Sequence, residues 1–157
     1  MTAGDALRVP FACLFASPLT TSSVGAHPHW MHEQDIAIVK ALVPMAWADG
    51  EFAEQEMETI DALLDAYNAT DAEKQAIKDY AKTKRTLDDI ELQELSADDR
   101  RVLLQHAVLL SFADGTQKPT ELEFLGMLAA KLRIPEDEAR ATMDAAAARA
   151  KKFLHLL

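Results

Sequence analysis

The sequence predicts an all-α fold of about seven helices, arranged as two related three-helix halves. Three observations carry that expectation. Apolar residues recur at spacings of three and four through most of the chain beyond residue 33, which is the signature of amphipathic helices. Aromatic residues make up only 6% and Gly only 5 of 157 positions, a composition that favours helices over twisted sheets. One four-residue element, aromatic-Ala-Asp-Gly, occurs twice.

Taken in order, residues 1 to 30 mix Pro10, Pro18, Gly25 and Pro28 with Thr and Ser and show no helical period, so they are expected to be a flexible leader outside the domain. Met31 stands just before the first periodic segment, where an initiator methionine would give a tidier protein, and the domain is assigned to residues 31 to 157. The first helix is expected from Glu33 to Ala48, with Ile36, Val39, Leu42, Val43 and Ala46 on one face and Gly50 ending it. A second runs from about Glu54 to Asn68 with Met57, Ile60, Leu63, Leu64 and Tyr67 inward. Thr70-Asp71-Ala72-Glu73 has capping-box order and starts a third, carrying Ala76, Ile77 and Tyr80.

The charged link from Thr86 to Glu94, with Leu87, Ile90, Leu92 and the adjoining Leu95, predicts a short amphipathic helix. Ser96 caps the next helix, Ala97 to Phe112, which stops at Gly115. Pro119 suits a first helical position, so another helix follows to about Leu132 with Leu122, Leu125, Leu128 and Ala129 inward. Pro135 repeats the signal for a last helix through Met143 toward Phe153.

The charge balance, Lys+Arg 16 against Asp+Glu 26 for a net charge of -10, argues against nucleic acid and anionic lipid as partners. It suits divalent cations and basic protein segments better. No stretch approaches membrane-spanning length, and the lone Cys13 is compatible with a reducing compartment, so the expected location is the cytoplasm. Catalytic templates are missing: there is no Glu-x-x-His pair of a di-iron bundle, no phosphate-cradling Gly-rich loop, no Gly-x-Ser-x-Gly elbow and no His-Glu-x-x-His. Cys13 lies in the leader, without a shaped pocket for a nucleophile. A non-enzymatic role is the expectation.

The repeat extends beyond its core element. Trp47-Ala48-Asp49-Gly50 and Phe112-Ala113-Asp114-Gly115 stand 65 positions apart, and at that offset Glu56 aligns with Glu121, Ile60 with Leu125, Leu63 with Leu128 and Glu73 with Glu138. Each half is therefore helix, Asp-Gly turn, helix, helix. At these residues the chain resembles the tellurite-resistance TerB-like family, whose members show an Ala-Asp-Gly turn followed by an acidic helix start. The likeness covers about Met31 to Phe153. It implies an all-helical module, of a kind also found as the N-terminal part of DjlA-type co-chaperones, that is associated with metal-ion binding and with metal, tellurite or envelope stress rather than catalysis, and that acts by binding ions, a protein partner, or both. The second half departs from the first in having Lys118-Pro119 where the first has Ala53-Glu54.

Asp49-Gly50 with Glu56 has the spacing of positions five, six and twelve of an EF-hand loop. Positions one and three would be Met45 and Trp47, or Leu110 and Phe112, and none offers a hard oxygen, so this is not an EF-hand. Two readings stay open. Asp49, Glu51 and Glu56, with Asp114 and Glu121, could bind a calcium- or magnesium-type cation weakly around the two turns, the first turn contributing more because Lys118 sits beside the second. Alternatively, Glu56 and Glu121 near the third helical position are caps, Asp49 and Asp114 bond their own turns, and the chain is a helical protein-interaction adaptor. Of other metal-ligating types, His27, His29 and His32 lie in or beside the leader without a supporting shell, and His106 is expected at the edge of the core.

Overall fold

The computed structural model describes residues 31–155, and the leader, Cys13, His27 and His29 lie outside the described residues. Among the described residues six α-helices follow one another: α1 (Glu33–Ala46), α2 (Glu54–Ala66), α3 (Asp71–Ala81), α4 (Ala97–Leu110), α5 (Pro119–Lys131) and α6 (Glu136–His155). Among the described residues there is no strand. No helix there is long and apolar enough to cross a membrane.

Starts and stops follow local chemistry. Thr70 accepts from the Glu73 backbone N–H while the Glu73 carboxylate accepts from the Thr70 N–H at 2.7 Å, a reciprocal box that satisfies two donors an isolated helix end leaves open. Ser96 and Asp99 do the same for α4. Pro119 begins α5 at its first turn, where its missing N–H costs nothing.

Helices α1 and α4 form the centre. Residues 37 to 39 and 41 to 46 of α1 are buried, and α4 buries Leu103, Leu104 and every residue from His106 to Leu110. Helices apolar around most of their girth belong inside a domain. Accordingly α4 packs most extensively against α1 and α6. Ile60, Leu63 and Leu64 of α2 and Leu125, Leu128 and Leu132 on and just after α5 close the core.

Four expectations are corrected. The link from Thr86 to Glu94 is not an amphipathic helix; it forms two single-turn 3₁₀ segments, Leu87–Asp89 and Leu92–Glu94. Ile90 and Leu95 plug into the core from it, and Arg100 draws the carbonyls of Leu92 and Leu95 toward its guanidinium at 3.0 and 3.2 Å. Those contacts replace a helical ladder that so short a segment could not sustain. Leu122, expected inward, is 57% exposed, because Phe124, Leu125 and Leu128 define the buried stripe of α5. Ala76 is exposed, leaving Ile77 and Ala81 as the inward pair of α3. His106 is buried rather than at the edge, its ring 6.3 Å from that of Tyr67, and burial, with the Arg149 charge adding to it, depresses its pKa to about 4.

Candidate functional site

Both Asp-Gly turns follow the C-termini of the two central helices. Gly50 has φ +89° and Gly115 φ +92°, backbone values that glycine adopts without the steric cost other residues bear. In each turn the preceding Asp folds onto its own backbone: Asp49 Oδ1 accepts from the Glu51 N–H at 3.1 Å, and Asp114 Oδ1 from the Thr116 N–H at 3.1 Å. The side chain closes the turn in both places.

The aromatics ahead of the turns differ. Phe112 is 4% exposed and belongs to the core. Trp47 is half-buried, anchored by an Nε1–H donating to the Ala81 carbonyl at 3.1 Å and packed near Phe52. Its indole needs a polar partner at the core margin, so the two are not equivalent anchors.

Four residues beyond each glycine the chain enters α2 and α5, and six residues beyond each stands a glutamate. Glu56 Oε2 accepts from the Ala53 N–H at 2.8 Å, and Glu121 Oε2 from the Lys118 N–H at 2.7 Å. Neither Ala53 nor Lys118 caps its helix with its own side chain, so the glutamates supply the caps from inside the helix. Both are nearly inaccessible, 8% and 5% exposed.

Sequence reasoning treated the turns as two places, but the packing of α1 on α4 makes them one. The Lys118 ammonium lies 3.0 Å from Asp49 Oδ2 and 3.7 Å from Asp114 Oδ2. Lys118 thus reaches the first turn more closely than the second, correcting the expectation that it would oppose charge only beside Asp114. The reason is its place at the start of α5, from which a long side chain spans to the neighbouring turn. A small pocket beside this bridge is lined by Glu56, Asp114, Lys118 and Glu121, together with Ala53 and Leu110. Glu51 does not line it; it is exposed and enters the turn through its backbone N–H.

The electrostatics follow from crowding. Burial pushes the Glu56 carboxyl up to about 7, and the nearby charges of Asp49 and Glu121 add to the rise while the Ala53 N–H and Lys118 oppose it. Burial also raises Glu121, against the pull of its Lys118 contacts. At Asp49 the desolvation is outweighed by the Lys118 hydrogen bond, which holds the carboxyl below its ordinary value. The hydrogen bond to Asp49 in turn raises Lys118. Among the described residues, no group of three or more His, Cys, Asp or Glu side chains has the spacing of a formed metal centre.

Lys118 is the residue of this cluster whose reach to the first turn the linear sequence hides. Its signal was the mismatch at the 65-residue offset, a cation where the first half has Ala53. No protein-family model matches this chain, and no curated protein or solved structure matches it at a significant level.

Proposed function

We propose that this chain is a non-enzymatic TerB-like module whose two Asp-Gly turns act as one acidic centre, at which a divalent cation competes with the Lys118 ammonium. The observation that carries this reading is the position of that ammonium within 4 Å of an aspartate from each turn. A cation of this chain already bridges the two turns, in surroundings that also contain the buried carboxylates of Glu56 and Glu121. Carboxylate oxygens are hard donors and suit calcium or magnesium rather than softer metals. Asp49 and Asp114 would supply the principal ligands, Glu56 and Glu121 a second layer of carboxyl oxygens that a bound cation would help to ionise, and Glu51 a carboxylate at the exposed rim. The resemblance to TerB-like proteins extends the proposal to a role in metal, tellurite or envelope stress.

A second reading is favoured by a different observation. Asp49, Asp114, Glu56 and Glu121 each accept a backbone N–H of their own turn or helix start, so the whole constellation has a structural use without any ion. On that reading the chain is a helical adaptor that works through a protein partner.

Calorimetric titration of the wild-type chain with calcium, magnesium, manganese and zinc separates the two. Saturable heat at millimolar calcium or magnesium supports the cation centre. Heat indistinguishable from dilution for all four ions leaves the adaptor.

A further inference from the structure

We propose that the outward face of α5 is a self-association surface, on which a second copy of this chain packs its own α5 in antiparallel orientation. Leu122 and Met127 are the exposed large hydrophobics among the described residues, at 57% and 48%, and both stand on this one helix. Between and beside them Gly126 and Ala130 are exposed too, one or two helical turns along the same face. Gly126 and Ala130 also border a largely apolar groove of about 460 Å³ between α5 and α6, floored by Ala139 and Met143. A ridge and a groove on one face meet the requirement of a two-fold contact, in which one patch must be complementary to itself.

Gly126 strengthens the case. It lies in the middle of α5 with ordinary helical backbone, and a Cβ added there would meet nothing within 4 Å. Nothing inside the protomer calls for glycine, which weakens a helix interior relative to alanine. A second helix approaching closely would use the missing side chain.

Charge selects the partner. The chain carries a net charge of -10, and most of its surface would repel a copy of itself. The α5 face instead has an acid toward its start, Glu123, and a base just past its end, Arg133, both exposed. Antiparallel apposition with the two-fold axis midway between Gly126 and Ala130 brings Glu123 of each copy toward Arg133 of the other, whereas a parallel pair would set like against like. Across the groove, Glu136 and Arg140 neutralise each other at 3.1 Å.

Sedimentation velocity of the full chain from low concentration to on the order of 100 μM, the range a small interface supports, tests this. The mass should rise from 17.3 kDa toward that of a dimer, and Gly126→Glu, which has open space in the protomer, should stay monomeric with a melting temperature no lower than that of the wild-type monomer. Glu123→Arg should weaken association and Glu123→Arg with Arg133→Glu should restore it. A wild-type monomer at every concentration overturns the proposal, as does a Gly126→Glu variant that associates like wild type or a charge swap that fails to rescue.

Discussion

Lys118 and Asp49, 69 positions apart in sequence, meet through an ammonium–carboxylate contact of 3.0 Å that ties the start of α5 to the turn after α1. The contact is partly exposed, with side-chain accessibilities of 44% and 27%, so as a surface ion pair screened by solvent it adds little to stability. Its weight lies in placement, because it sets one positive charge where carboxylates of both turns gather.

The core beneath the turns sets the first prediction. Phe112→Ala should cost about 3–4 kcal/mol, the usual range for emptying a buried aromatic site, since Phe112 is 4% exposed. Trp47→Phe keeps a ring but loses the bond to the Ala81 carbonyl and should cost about 1 kcal/mol. Urea denaturation of both variants checks the order; a Trp47→Phe loss exceeding that of Phe112→Ala would mean the anchors have been ranked wrongly.

Glycine substitutions should divide by sign. Gly50→Ala and Gly115→Ala force a Cβ into the left-handed region at φ +89° and +92°, destabilising by about 1 kcal/mol each although no neighbour is struck. Gly126→Ala sits in an unstrained helix interior and should stabilise the protomer by roughly 0.5–1 kcal/mol. Melting curves at low protein concentration compare the three, and a stabilised Gly50→Ala would contradict the backbone assignment.

Acidity should act through Glu56. Its folded pKa is raised to about 7 from 4.5, so the folded state binds a proton more tightly than the unfolded chain does. The associated stability is fully present below about pH 4.5 and is lost as the pH rises through 7. Glu56→Gln removes that dependence while keeping an oxygen for the Ala53 N–H. The variant should match wild type near pH 4.5 and exceed it by on the order of 2 kcal/mol at pH 8. Parallel denaturation curves at the two extremes of pH would show instead that Glu56 is solvated well enough to ionise freely.

How much of this was legible in the sequence depends on range. The helix starts at Thr70, Ser96 and Pro119 could be read because their partners lie within one turn. The glycine turns could be read because left-handed backbone has few tenants. The face of α5 could not be assigned fully, since Leu122 and Leu125 are both three-spaced apolar residues and only packing against α4 decides which is inside. The link failed for a related reason: its fate was settled by Arg100, whose hold on Leu92 and Leu132 is a tertiary contact. Of the candidate site, Asp49, Glu56, Asp114 and Glu121 were visible as a repeat, but their convergence required knowing that α1 lies against α4.

Millimolar calcium and magnesium melting shifts for wild type, Lys118→Met, and Asp49→Asn with Asp114→Asn test the competition between ion and ammonium most directly. With few carboxylates the affinity should be about 10⁻⁴ M or weaker, so the wild-type shift is small and saturates only in the millimolar range. Removing the ammonium should enlarge the shift in Lys118→Met, and removing both aspartate charges should abolish it with helix content unchanged. Three proteins whose melting temperatures all ignore both ions, or a shift that survives the loss of both aspartates, would contradict a shared cation centre at the two turns.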